Sequence, residues 1–335
     1  MTGASAIATI ATGDYIYGAA ALANSLIEAG VDFPMRIYAD DRALALASSW
    51  ARGARAKDIA FEKLSNLPGP LDGAYTHPTN LKARAILHSF DVGAFENVIF
   101  MDADVVASGG AAKSLIDAIL QIGDPVFSVE GIRARADITS VSQTGRLLSW
   151  LGSASIPADE LPPLRRDGED ENPGGTALCA YINAGFCKLS RRDGALLRLW
   201  DAANGALSSS EMRSSRDFPF LDQDVLNALM SIFDIRYASV GPSDILFTNL
   251  PVNPYFHMGR YGEPVFVHFT GGTKPWRLCS IPRYRPGRYE PLWYRSLVLP
   301  SGLSVRFDCP WGLRQWFCAT RLSRLIVRIK ARLGA

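Results

Sequence analysis

Apolar positions in this chain fall into short unbroken runs and into longer stretches spaced by three and four residues. Ala6 to Thr12 (AIATIAT) is a run of small and β-branched side chains, which predicts a buried strand. Gly13-Asp14 breaks it, and Tyr15 to Ala29 then carries helical spacing that stops at Gly30, a C-terminal cap. Phe33 to Tyr38 reads as a second strand. Strand, helix, strand at this spacing is a βαβ unit, so the sequence predicts an α/β fold with a parallel sheet. A helix from about Asn80 to Phe90 leads to the apolar strand Asn97 to Met101, which stops at Asp102-Ala103-Asp104. Pro125 to Glu130 and Tyr181 to Ser190 read as strands, Leu221 to Phe233 as a helix, and Val265 to Phe269 as the last core strand. Residues 131–176 break the pattern with Pro162-Pro163, Arg165-Arg166 and the acidic run Asp167 to Glu171. This segment is expected to be irregular, a surface loop or a functional lid.

The chain has 335 residues, enough for a sizeable core, and 48% of them are hydrophobic against 20% charged, which excludes a disordered protein. The net charge of +2 argues against a nucleic-acid coat but hides an asymmetry. From Arg277 onward there are twelve basic and two acidic residues, so the remaining 276 residues carry a net −8. In the tail, Leu313, Trp316, Phe317, Leu322, Leu325, Ile326, Ile329 and Leu333 alternate with basic residues at helical spacing. That pattern predicts an amphipathic helix lying on an anionic membrane surface, each basic group contributing about 1 kcal/mol. A helix packed on the body, with its basic face in water, fits the same pattern. The five cysteines show no CxxC pair. The first ten residues lack the basic and apolar regions of a signal peptide, and no apolar run approaches the ~20 residues of a membrane span. The expected location is cytoplasmic, peripheral on the inner face of the membrane.

Four elements carry candidate chemistry. Asp102 and Asp104 stand just past a strand end, where carboxylates at i and i+2 can converge on one cation, and open α/β sheets collect ligands at that edge. A capped strand end with solvated acids is the bland alternative. His268 closes another apolar strand and precedes Gly271-Gly272-Thr273-Lys274-Pro275-Trp276. Glycine backbone amides and a lysine suit phosphate oxygens, and the imidazole suits a metal. Asp222-Gln223-Asp224 opens a helix, where an acid is already favoured by the helix dipole. Asn183-Ala184-Gly185 interrupts a strand, as a bulge or a close backbone approach would.

Taken together, Ile7 to Leu26 (IATIATGDYIYGAAALANSL), Val98 to Val105 (VIFMDADV), Tyr181 to Phe186 (YINAGF), Leu221 to Asn227 (LDQDVLN) and His268 to Trp276 (HFTGGTKPW) resemble glycosyltransferase family 8. That is the family of glycogenin-like enzymes and of bacterial galactosyl- and glucosyltransferases. The resemblance implies a GT-A fold over residues 1–276, with a mostly parallel central sheet flanked by helices. It leaves 131–176 as an insertion that can cover the acceptor and 277–335 as a basic helical appendage. It implies a retaining hexosyltransferase that moves galactose or glucose from a UDP-sugar to a glycan or lipid-linked acceptor. Asp102, Asp104 and His268 would hold Mn2+ or Mg2+. Ala11, Thr12 and Tyr15 would form the uridine pocket, although Gly13-Asp14 is about one residue short of the usual turn. Ala103, Gly272 and Lys274 would meet the phosphate side of the donor. Lys82, with Arg84 as its competitor, and Asn183, Ala184, Asp222 and Gln223 would line the sugar. Retention requires either a covalent intermediate, for which Asp222 is a better nucleophile than Gln223, or same-face attack with a leaving phosphate oxygen as base, which is the favoured reading.

Two other readings compete. The block Val98 to Val106 also resembles the first motif of haloacid-dehalogenase-type phosphatases, but that reading leaves HFTGGTKPW unexplained. A catalytically degenerate nucleotide-sugar-binding module would be favoured by loss of a metal ligand, and all three are present. The acceptor and the donor sugar are not readable from the sequence.

Overall fold

The structure, a computed structural model, describes residues 4–48, 50, 58–69, 77–134, 141–153, 161–162, 178–207, 220–241, 243–248, 264–270, 274–278, 292–293 and 295–296. Its strands are β1 (Ser5–Ala11), β2 (Met35–Ala39), β3 (Ile59–Lys63), β4 (Asn97–Met101), β5 (Val105–Ala107), β6 (Val126–Ala134), β7 (Leu178–Ser190), β8 (Ala238–Val240), β9 (Ile245–Phe247) and β10 (Phe266–His268). The α-helices are α1 (Ile16–Glu28), α2 (Asp41–Leu46), α3 (Lys82–Gly93), α4 (Ala111–Gln121), α5 (Val141–Ser153), α6 (Gly194–Leu207), α7 (Leu221–Ile232) and α8 (Pro275–Leu278). None of the described helices is long and apolar enough to cross a membrane. The described residues divide between two compact units, one drawn from Met1–Ile10, Lys63–Met101 and Ala118–Pro242, the other from Ala11–Glu62, Asp102–Asp117 and Ser243–Ala335.

In the first unit the sheet order is β1-β4-β7-β6-β8. β1 pairs parallel with β4 and β6 parallel with β8, whereas β7 is antiparallel to both β4 and β6. Four of these five strands therefore point the same way, and β7 runs against them. From Ala6 onward β1 is buried throughout, as is β4 after Asn97. Burial on both faces explains why these strands read as unbroken apolar runs and not as alternation. Phe100, Phe127, Phe186, Trp200 and Phe233 are fully buried in this core; each contributes about 2–3 kcal/mol by leaving water.

In the second unit β10 lies between β5, to which it is antiparallel, and β9, to which it is parallel. Helix α1 is buried along nearly its whole length, and its run Gly18-Ala19-Ala20-Ala21 offers almost no side-chain bulk. The α1 hydroxyl of Ser25 accepts the Ala107 backbone N–H at 3.0 Å, tying the helix to β5. The helix ends as the sequence predicts: Gly30 takes φ +78°, a left-handed conformation that glycine adopts without penalty, and the Val31 N–H returns to the Leu26 carbonyl.

The structure departs from expectation in the insertion. β6 continues to Ala134, and Val141–Ser153 forms helix α5. The Pro and charge clusters that suggested irregularity lie after this helix, so they mask a helical stretch of 13 residues. Residues 135–140, 154–160 and 163–176 of the insertion lie outside the described residues, as does the predicted amphipathic tail.

Candidate active site

The second unit takes up the chain again at Asp102, after the end of β4, and it turns at once, the Val105 N–H donating to the Asp102 carbonyl at 3.0 Å. A turn is required here, because two adjacent-but-one carboxylates cannot continue into an apolar sheet without partners. The register of β10 on β5 sets His268 opposite Val105, and the Phe269 N–H donates to the Asp104 carbonyl at 2.9 Å. These backbone ties bring His268 Nε2 to 3.1 Å from Asp104 Oδ1 and 3.6 Å from Asp102 Oδ2. Among the described residues these three side chains form a candidate metal centre, with one ligand atom from each lying within 4.8 Å of the others.

The arrangement fits a divalent cation. His268 is buried, and its Nδ1 has no hydrogen-bond partner among the described residues. Its Nε2 faces two carboxylates, so a proton or a cation must lie between them to avoid setting a lone pair against anionic oxygen. Two oxygens and one imidazole nitrogen are a donor set that suits manganese or magnesium. Lys274, also buried, donates to Asp104 Oδ2 and, at 2.8 Å, to the Phe269 carbonyl. Burial raises the Asp104 pKa, but His268 and Lys274 outweigh it and hold the carboxyl well below the usual range.

Of the other predicted residues in this unit, Ala11 and Ala103 are buried, Thr12 is half-buried, and the Tyr15 ring meets Trp276 edge-on at 5.1 Å. Lys274 Nζ and the Arg277 guanidinium lie 5.8 Å and 5.4 Å from the Tyr15 centroid. Sequence reasoning missed two anchors of the 13–15 turn. Asp40 accepts the Gly13 N–H at 3.0 Å, and Asp14 pairs with Arg277 through contacts of 2.7 and 2.9 Å. The Arg277 hydrogen bonds hold the Asp14 carboxyl below its ordinary pKa. Gly272 lies outside the described residues.

The first unit gathers the remaining predicted residues. Lys82 Nζ is 2.9 Å from Asp222 Oδ2, both side chains nearly inaccessible. Arg84 instead makes a forked pair with Asp201, with contacts of 3.0 to 3.2 Å. Trp200 Nε1 donates to the Asp222 carbonyl at 2.9 Å, fixing the first turn of α7. Asn183 interrupts β7 as the sequence suggested: its Oδ1 accepts the Gly185 N–H at 2.8 Å, and the next residue, Ala184, is fully buried. Its Nδ2 donates to Glu130 at 2.8 Å, and Gln223 Nε2 donates to the same carboxylate oxygen at 3.4 Å. Glu130 was not singled out from the sequence, where it is merely the last residue of a predicted strand.

Asp224, next to Gln223, accepts the Tyr181 hydroxyl and the Phe220 N–H, each at 2.8 Å. Burial pushes its pKa up to about 6; the Asp222 and Glu130 charges add to this, and the two hydrogen bonds oppose it. A raised carboxyl pKa means that the native state binds the proton more tightly than the unfolded chain. Its contribution is therefore favourable below the unfolded value of 3.8 and is lost as pH rises through about 6. An Asp224→Asn variant is expected to gain on the parent by up to about 3 kcal/mol between pH 4 and pH 7.5 in urea unfolding. Parallel pH profiles for the two proteins would show that this carboxyl is not perturbed.

No protein-family model matches the chain. Over 240 residues it is 26% identical to the lipopolysaccharide 1,3-galactosyltransferase of Salmonella typhimurium (strain LT2), a match covering 69% of this chain and 58% of that protein. The chain thus spans less than two thirds of that curated relative. Among solved structures it is similar to the WbbM bifunctional glycosyltransferase, with TM-score 0.51 and 12% identity over 94% of this chain and 52% of that one. It is also similar to the glycosyltransferase GlyE of Streptococcus pneumoniae TIGR4, with TM-score 0.50 and 13% identity over 89% of this chain and 61% of that one. Likeness at these identities concerns the fold.

Proposed function

Starting from a chain that has the GT-A fold and is similar to the family 8 glycosyltransferases, we propose that it is a retaining hexosyltransferase. Its donor is a UDP-sugar carrying galactose or glucose, and its acceptor is a glycan or a lipid-linked glycan. The observation that carries the proposal is the convergence of Asp102, Asp104 and His268, with Lys274 on the same Asp104 carboxylate.

In this reading the three ligands hold a divalent ion, manganese or magnesium, which when bound supplies positive charge opposite the diphosphate of the leaving nucleotide. Lys274 and the Gly272 backbone take the remaining phosphate oxygens. Lys274 can serve because its ammonium has three donors, of which contacts among the described residues use two. Ala11, Thr12 and Tyr15 hold the uridine, on a turn pre-set by the Asp40 and Asp14 contacts. Lys82, Asn183, Ala184, Asp222 and Gln223 hold the sugar. Lys82 is assigned in preference to Arg84 because it pairs with Asp222, whereas Arg84 is committed to Asp201. The acceptor hydroxyl attacks the face that the nucleotide leaves, giving its proton to a phosphate oxygen of the departing UDP. Gln223 and Asp222 support the developing positive charge on the sugar without forming a bond to it. The basic C-terminal extension is assigned to an anionic membrane surface on its charge pattern alone.

The test is a panel of UDP-, GDP- and CMP-sugars with manganese or EDTA, scored by released nucleotide with and without glycan acceptors. Manganese-dependent UDP release from one UDP-sugar is the expected result. Release of inorganic phosphate from phosphomonoesters, with no nucleotide-sugar turnover, would favour the phosphatase reading instead.

A further inference from the structure

The pairing of β6 with β7 breaks twice within a few residues. Phe127 faces Cys187 but the next residue, Ser128, faces Asn183, so β7 carries three extra residues, Ala184 to Phe186. Then Val129 faces Ile182 while Gly131 faces Tyr181, so Glu130 is itself an extra residue on β6. A bulge takes a residue out of the ladder and re-aims its side chain, and bulges gather beside functional sites. Two paired positions, Ser128–Asn183 and Val129–Ile182, separate the two irregularities. Asn183 borders one and Glu130 forms the other, and the first turn of α7 brings Gln223 to the same carboxylate.

We infer that Glu130 is a positioning residue whose single carboxylate oxygen, accepting from both Asn183 Nδ2 and Gln223 Nε2, fixes which way the two amides face. The inference rests on the transferase reading above. A carboxylate only accepts hydrogen bonds, so each amide must turn its nitrogen toward Glu130. Asn183 Oδ1 is thereby left for the Gly185 N–H, which it accepts at 2.8 Å. Gln223 must direct its carbonyl oxygen away from Glu130, and that oxygen carries the partial negative charge that suits a cationic sugar. With Gln223 flipped, the amide nitrogen would take its place and oppose the same charge. Asn183 and Gln223 are both buried, so a wrong orientation cannot be relieved by solvent.

Glu130→Met keeps the length of the side chain and removes the acceptor; Glu130→Gln can keep an acceptor oxygen in the same place. The Met variant is expected to lose about a hundredfold in kcat with UDP affinity within about twofold of the parent, and the Gln variant to recover most of that loss. Transfer by the Met variant within about threefold of the parent would overturn the inference. So would equal losses in both variants accompanied by lower UDP affinity and lower Tm, which mark a purely structural role.

A second measurement separates this failure from failure of the transferase reading. The chain has four glutamines, so the Gln223 side-chain amide can be assigned in 15N-glutamine-labelled protein by comparison with a Gln223→Glu sample. Slow amide exchange in the parent that quickens in Glu130→Met supports the orienting bond even in a protein that turns over no UDP-sugar. Identical exchange in the two overturns it.

Discussion

An Asp104→Ala variant is expected to lose metal-dependent sugar transfer by at least about a thousandfold, the largest effect of any single change in this chain. Both carboxylate oxygens are in use: Oδ1 lies 3.1 Å from His268 Nε2, and Oδ2 accepts from Lys274. Truncation removes one of the three proposed metal ligands and leaves a buried ammonium that, among the described residues, donates only to the Phe269 carbonyl. Loss of a group that neutralises transition-state charge costs about 3–4 kcal/mol in mutational series, and loss of a metal ligand costs more. Breaking a buried ion pair from one side also costs about 3–5 kcal/mol of stability, so the variant will melt earlier. Asp102→Asn separates the two effects. The Asp102 side chain is 24% exposed against 7% for Asp104, so its replacement should spare most of the stability yet still cripple transfer. Transfer rates with manganese, read beside thermal melts of both variants, provide the check. Full activity in a folded Asp102→Asn protein would overturn the proposed metal centre.

The second large effect is expected at a residue with no chemistry of its own. A Cβ on Gly18 would stand 2.3 Å from the Ala103 carbonyl oxygen and 2.7 and 2.8 Å from two carbons of the Trp276 ring. Side-chain carbons do not approach backbone oxygen that closely, so α1, the Asp102–Asp104 turn or Trp276 must move. Overpacking of this kind costs about 1–3 kcal/mol. Because Ala103 sits between the two carboxylates of the proposed metal centre, the displacement is also expected to weaken manganese binding by tenfold or more, on the scale of sub-ångström ligand misplacement. Gly145 is the control: it is exposed on α5 with nothing within 4 Å of its Cβ position, so Gly145→Ala should stabilise by about 0.5–1 kcal/mol. Thermal melts and manganese titrations of the two glycine variants decide the matter. A Gly18→Ala protein as stable as its parent, with the same manganese affinity, would show that the contact is soft.

The sequence made legible those features that depend on local pattern. The strand β4 and its abrupt end at Asp102 could be read because an apolar run followed by two carboxylates has few structural solutions. Helix α7, the interruption of β7 at Asn183 and the short strand before His268 followed from the same kind of evidence. What stayed hidden depends on register and on long-range approach. Glu130 is an ordinary last residue of a strand until β7 is laid beside it, and the continuation of β6 to Ala134 requires the partner residues Leu178 to Ala180. The Asp14–Arg277 pair joins residues 263 positions apart. Gly18 reads as one small residue among several in α1, and its need to be glycine comes from a carbonyl 85 positions away in the chain. Helix α5 was concealed by the proline and charge clusters that follow it.

The Asp102–Asp104–His268 cluster, with Lys274, is proposed as the diphosphate end of a nucleotide-sugar site. Calorimetric titration of UDP into the purified chain tests it most directly, performed with manganese, with EDTA, and with the Asp104→Ala variant. Saturable UDP binding that requires manganese and vanishes in the variant is the expected result. Absence of UDP binding by the folded parent protein in saturating manganese would contradict it.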